Sequence, residues 1–258
     1  MPRRQLIVTA DDVGLDPGMT EGAIRAHRDG IVTACSIVAN GMAFDDAVAR
    51  LRDVPALAVG VHLALVEEHS LTGLRFPRKY TTFVPLYLLR AIGIAAIERE
   101  LRAQIERVLA TGLRVTHLNG HQHLHLLPRI FRVVTRLASE YSIPYIRIVD
   151  DHGATTRTAA MTALSHLGRR ARAPFTNDRT IGVGIAGHLQ DVLPLLDHVE
   201  GLTELVTHPG VNVRGYQNWR YAWDEETRAL CDPRLREELA GRGSELIDPS
   251  GVRSPPHS

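Results

Sequence analysis

Lysine is almost missing from this chain. Lys79 is its sole representative, so arginine supplies nearly all of the 30 basic residues that balance 29 acidic ones to a net charge of +1. That balance leaves no basic field for nucleic acid and no acidic tail. The two cysteines, Cys35 and Cys231, stand far apart and form no disulfide framework, which fits a reducing compartment. No apolar run reaches the length of a membrane span. The most apolar stretch, 84–97, is too short and carries Arg90, so a buried helix or a lid is expected there. The first apolar run ends at Asp11, too early for a signal-peptide core, and a cytoplasmic location is expected. Internal repeats, a Gly-rich phosphate loop and a Gly-x-Ser-x-Gly elbow are all absent.

What is there suits one large core: 258 residues, 44% of them hydrophobic. A single domain is expected over 1–250, with insertions at 66–93 and 151–179 near one end and a disordered Pro/Ser-rich tail at 251–258. The first insertion holds Glu67-Glu68-His69 and is expected to fold over the mouth of the domain. In the second, Ala159–Leu167 reads as helical, and Arg169, Arg170 and Arg172 read as a solvated face. Strands are expected at 4–10, 33–39, 57–65, 114–120, 144–149, 180–184 and 203–207. Helices are expected at 17–29, 44–52, 94–110, 128–141 and 189–198. About seven such β-α units predict an α/β fold, a distorted TIM-like (β/α) barrel of parallel strands, with its chemistry at the C-terminal strand ends.

Four segments carry candidate chemistry to those ends. In an extended conformation His117, Asn119, His121, His123 and His125 share one face; in a helix His121 and His125 still would, and neutral imidazole is a common metal ligand. Leu6–Ala10 is a buried-type strand ending in Asp11-Asp12, two carboxylates that must be desolvated or paired. Asp16, before Pro17, is the better helix cap. His62 lies between Gly60 and Ala64 on its strand face, with space around the imidazole. His208 sits at a strand end stiffened by Pro209-Gly210, a placement that suits acid–base work. Asn40 and Arg147, at the ends of two strands, are candidate substrate-binding groups. Tyr216, Trp219 and Trp223 form an aromatic-rich segment after His208 that could stack on a substrate or pack the C-terminal segment onto the barrel.

Thr9-Ala10-Asp11-Asp12-Val13-Gly14, Gly60-Val61-His62-Leu63, His121-Gln122-His123-Leu124-His125 and Thr207-His208-Pro209-Gly210 together resemble the YdjC-like family, which includes chitooligosaccharide deacetylases and a hopanoid-biosynthesis-associated branch. The resemblance runs in order over about residues 4–210 and extends to Ser36–Gly41 and Ile146-Arg147. It departs at Asn119-Gly120, where the family often has Asp-Ser, at Val13, where phenylalanine is usual, and near Cys35, where threonine or serine is common. It implies a barrel related to the polysaccharide deacetylases. One divalent metal, Zn²⁺ or Mg²⁺, would be held by Asp12, His62 and His125, with Asp11 as catalytic base and His208 as a catalytic histidine. His121 and His123 would then orient ligands or face substrate. The implied reaction removes an N-acetyl group from an N-acetylglucosamine-containing carbohydrate or glycoconjugate and releases acetate. Two other readings stay open: a metal-dependent phosphoesterase, and a metal-retaining carbohydrate-binding protein without catalysis. The exact sugar, whether chito-oligosaccharide, glycolipid or antibiotic precursor, is open too, as is a homodimer.

Overall fold

Every residue of the first strand, from Gln5 to Val13, is buried, and one parallel sheet is laid out around it. The computed structural model describes residues 4–151, 156–169 and 175–252. The Arg169–Arg172 cluster falls largely outside them, as does the tail beyond Val252. The strands are β1 (Arg4–Val13), β2 (Ala34–Ile37), β3 (Ala58–Leu63), β4 (Val115–Gly120), β5 (Tyr145–Ile146), β6 (Arg179–Ile181), β7 (Gly201–Thr207) and β8 (Ser244–Leu246). The sheet order is β5-β4-β3-β2-β1-β7-β6, with β8 pairing on β1, and every pairing is parallel. Seven strands on that path curl into a half-barrel, the form that the expected distorted TIM-like barrel of parallel strands takes here.

The helices are α1 (Pro17–Arg28), α2 (Phe44–Leu51), α3 (Tyr80–Leu88), α4 (Ile94–Leu109), α5 (Pro128–Glu140), α6 (Thr156–Arg169), α7 (Trp223–Leu230) and α8 (Arg234–Gly241). Two of them open on proline. Asp16 accepts the Gly18 N–H at 2.7 Å while Pro17 occupies the first turn, where its missing N–H costs nothing. Pro128 opens α5 in the same way. No helix among the described residues is long and apolar enough to cross a membrane.

The two faces of β1 explain why the site sits where it does. Leu6, Val8 and Ala10 join the large apolar core beneath the helices. Ile7, Thr9 and Asp11, on the alternate face, point into the barrel. That interior is unusually polar: Thr9, Asp11, Ser36, His117, Asn119, Arg147 and Glu204 are all buried, and none is more than 2% exposed. Buried polar groups persist only when they satisfy one another, so this interior is a network rather than an oily core.

Two expected elements differ. Only Tyr145–Ile146 of the 144–149 stretch is strand, because side chains take over the ladder: Asn177 Oδ1 accepts the Ile148 N–H and Ser165 Oγ accepts the Val149 N–H. The helix expected at 189–198 is a short 3₁₀ turn, Leu193–His198, entered through Pro194 with Asp191 capping the Leu193 N–H.

Candidate metal and catalytic site

Asp11 and Asp12 are adjacent but meet different partners. Asp11 Oδ1 and Oδ2 receive the Arg147 guanidinium at 2.9 and 2.5 Å, and Oδ1 also accepts from Ser36 Oγ (2.6 Å) and Asn119 Nδ2 (3.0 Å). Burial alone would raise its pKa, but the charge and hydrogen bonds of Arg147, with help from His62, hold Asp11 far below the usual carboxylate range. Asp12 takes a left-handed backbone (φ +64°) where the β1–β2 register slips between Ala10 and Val13. That reversal swings its carboxylate toward the same cavity as Asp11. Non-glycine residues held there are costly and concentrate at functional sites.

Two imidazoles converge on Asp12 Oδ1. His62 Nε2 is 3.3 Å away and His121 Nδ1 is 3.1 Å away. The ligand atoms of Asp12, His62 and His121 all lie within 4.8 Å of one another, and all three residues are buried. His62 is oriented by the Asn119 carboxamide, whose Oδ1 lies 2.7 Å from Nδ1. An Nδ1–H donated there leaves the Nε2 lone pair facing Asp12, the arrangement metal-binding histidines adopt. His121 is perturbed upward to about 10: burial would lower it, but Asp12 and then Glu67 outweigh that. The donor set therefore fits a divalent ion, and its one carboxylate and two imidazoles leave positions open for substrate and water.

His125 does not reach this cluster. The chain leaves β4 at Gly120 and enters a 3₁₀ turn over His121–Leu126 in which Gln122 and His123 are left-handed (φ +53° and +55°). The strand alternation that would align all the histidines ends there. His125 instead turns Nε2 to the Arg147 carbonyl at 2.9 Å, and burial pushes its pKa down to about 3. His117 lies deeper in the barrel, and Gly60 leaves room for it: a Cβ at position 60 would sit 2.3 Å from its ring. The space read beside His62 thus belongs to His117. Burial lowers His117 to about 3 as well.

A cavity of about 50 Å³ is lined by Asp11, Asp12, His62, His121, His123 and His208, with Tyr221, Val183 and Ala186 on the far wall. His208 Nε2 lies 3.9 Å from Asp12 Oδ2, and its ring meets Tyr221 edge-on at 5.4 Å. The Asp12 and Asp11 carboxylates act to raise its pKa. Burial wins over Asp12 and Asp11, and the pKa is lowered.

Arg147 was expected at the substrate and is instead fully buried, shared between Asp11 and Glu204. Glu204 accepts from Arg147 Nε (2.8 Å), Thr9 Oγ1 (2.7 Å) and the Tyr145 hydroxyl (2.6 Å). Asn40 spends its amide on the His69 carbonyl (3.0 Å), tying down the loop after β3. Trp219 stacks on His121 with ring centres 5.4 Å apart and an interplanar angle of 26°. It also lines a neighbouring groove of about 620 Å³ with Glu67, Arg78, Lys79, Tyr80 and Tyr216. Glu204, Tyr221 and the partnership of Glu67 with His121 carry no motif in the sequence. Glu67-Glu68 stood out only as charge in an insertion, and Glu204 only as one polar residue in an apolar strand.

Comparison with known proteins agrees with this architecture. The family model described as YdjC-like protein matches residues 5–241. A carbohydrate deacetylase of Geobacillus stearothermophilus is 32% identical over 262 residues, covering 96% of this chain and 97% of its own. A crystal structure of an Enterococcus faecalis protein superposes with TM-score 0.76 at 24% identity, covering 98% of this chain and all of the other. A family 4 carbohydrate esterase from Streptomyces lividans, solved with acetate, gives TM-score 0.52 at 14% identity and 98% coverage of both chains. At such identities the last two speak for the fold.

Two measurements follow. Replacing Arg147 with leucine strands two buried carboxylates and should cost about 3–5 kcal/mol in denaturant unfolding; a loss within about 0.5 kcal/mol, the range of a surface change, would contradict the buried clamp. Glu226 is buried and accepts the His208 backbone N–H, and burial pushes its pKa from 4.5 up to about 8. An acid raised on folding favours the native state most when protonated, so its contribution declines as pH rises from about 4.5 toward 8. Glu226→Gln should therefore gain Tm relative to wild type at the upper end of that window and not at the lower. A Tm difference that stays flat across it would show that Glu226 is already ionised in the fold.

Proposed function

The chain belongs to the YdjC-like family, and from that footing we propose that it is a metal-dependent carbohydrate N-deacetylase acting on an N-acetylated amino sugar. One observation carries the reading: the Asp12–His62–His121 cluster, the Asp11 carboxylate and the His208 imidazole line the same small cavity. Bound there, a divalent ion would supply Lewis-acid polarisation of the acetamide carbonyl and of the attacking water. Asp12 Oδ, His62 Nε2 and His121 Nδ1 are the atoms proposed to hold it, and an Asp-His-His set favours Zn²⁺ over the oxygen-seeking Mg²⁺.

The chain's own residues do the rest. Asp11, kept ionised by Arg147, accepts the proton of the attacking water. Its three kinds of donor fix the carboxylate, so no reorganisation is needed when charge develops. His208, just past the end of β7 and neutral at rest because burial lowers its pKa, relays to the departing amine the proton that Asp11 has taken up, and acetate and a free amino sugar leave. Trp219 and Tyr216, beside the groove, offer flat faces for a pyranose ring. His123 lines the same cavity and is proposed to face the substrate. The phosphoesterase alternative asks for a second ion about 4 Å away. The described residues gather one ligand cluster, and Arg147 is unavailable to an anion.

The test pairs acetate release with metal content. Zinc-loaded wild type, incubated with a panel of N-acetylated amino sugars and oligosaccharides, should release acetate from at least one. Asp11→Asn should keep its zinc yet lose roughly 10²–10⁴-fold in turnover, the usual worth of a positioned base. His208→Ala should also keep the metal and lose most activity. A fully loaded wild type that deacetylates nothing, but binds sugars equally well with or without Asp11, would make it a carbohydrate-binding protein instead.

A further inference from the structure

The loop between β3 and α3 is tied down with unusual care for a surface insertion. Gln104, buried on α4, clasps the backbone of Ala64 from both sides: its Oε1 accepts the Ala64 N–H at 2.9 Å and its Nε2 donates to the Ala64 carbonyl at 2.7 Å. One turn earlier Glu100, also fully buried, accepts the Leu71 and Thr72 N–H groups at 2.9 and 3.0 Å, the Thr72 hydroxyl at 2.7 Å and Gln104 Nε2 at 2.8 Å. A buried carboxylate and a buried carboxamide are thus both spent on holding a loop. Desolvating them is costly unless every polar atom finds a partner.

Between those anchors stands Glu67, in a left-handed backbone (φ +69°) that a non-glycine residue keeps only when its surroundings impose it. Its N–H donates to the Arg78 carbonyl and its own carbonyl accepts from Arg78 Nη2, each at 2.9 Å. The backbone is therefore placed independently of the side chain. The side chain then reaches the site: Oε1 accepts from Gln122 Nε2 at 3.2 Å, and Oε2 lies 3.3 Å from His121 Nε2, within ion-pair range though off the ideal hydrogen-bond line. Glu68 turns the other way and accepts the Tyr216 hydroxyl at 2.7 Å.

We propose that Glu67 is a positioning residue for the metal site, the outer carboxylate that accepts His121 Nε2–H and so presents the Nδ1 lone pair to the ion. The Glu100–Gln104 clasp is its mount. The geometry favours this over direct ligation, because Glu67 meets the far nitrogen of His121 while Asp12 meets the near one. Carboxylates behind ligating histidines fix the tautomer and strengthen the ligand. The inference rests on the Asp12–His62–His121 ligand reading, and the experiment separates the two.

Metal-free wild type, His62→Ala, Glu67→Ala and Glu67→Gln are titrated with Zn²⁺ against a chromophoric chelator, with thermal melts confirming that each is folded. His62→Ala should lose the site. Glu67→Ala should bind about 10–100-fold more weakly, the usual effect of losing an outer partner. Glu67→Gln, which keeps the shape and an acceptor oxygen but loses the charge, should recover only part of that loss, whereas a role confined to loop packing would be restored in full by the isosteric amide. It also carries the test should the alanine variant fail to fold. Wild-type affinity in Glu67→Ala together with loss in His62→Ala would overturn the Glu67 role and leave the site standing. Loss in Glu67→Ala as complete as in His62→Ala would make Glu67 a ligand and overturn the positioning role. Wild-type affinity in His62→Ala would overturn the ligand reading and, with it, this inference.

Discussion

A fully buried guanidinium holds this active-site architecture together. Arg147 lies just past β5 and grips Asp11 on β1 with one edge and Glu204 on β7 with another. Burying one cation and two carboxylates costs several kcal/mol per ion, offset only where geometry is good and the remaining lone pairs are satisfied. Here Ser36, Asn119, Thr9 and Tyr145 satisfy them. The clamp therefore ties the β5 edge to the neighbouring strands β1 and β7 and keeps the Asp11 carboxylate ionised. Once Asp11 is committed inward, Asp12 can face the cavity only by reversing its backbone, and the positive φ there is the local cost of that division of labour.

Much of this was legible from residue patterns. A buried-type strand that stops in two acids, a strand face of Gly60-His62-Ala64 and a strand ended by His208-Pro209-Gly210 all announce polar groups at strand ends, and the structure puts Asp11, Asp12, His62 and His208 around one cavity. The insertion after β3 stood out as an interruption of the β-α alternation, and its Glu67 lines the groove beside the cavity. The choice between His121 and His125 was not legible. It depends on where β4 ends, and two left-handed residues, Gln122 and His123, decide that without any glycine or proline to mark them. A period-two reading carried past Gly120 keeps His125 on the face of His121, whereas the turn sends it to the Arg147 carbonyl.

Arg147 was misread for a different reason. An arginine at a strand end looks like a substrate group because its partners are invisible locally: Glu204 and Asp11 lie 57 and 136 residues away. Tertiary pairing of this kind leaves no trace in a window of sequence. Glu67 shares the difficulty, since a left-handed glutamate in an insertion has no motif, and only the clasp from α4 shows why it stands where it does.

The ligand set is the point on which the whole account turns, and crystals of the zinc-loaded protein test it most directly through anomalous scattering at the zinc edge. The account predicts one strong peak at about 2.0–2.2 Å from Asp12 Oδ1, His62 Nε2 and His121 Nδ1, with His125 still turned to the Arg147 carbonyl. A peak bound by His125 while His121 stands aside would contradict it.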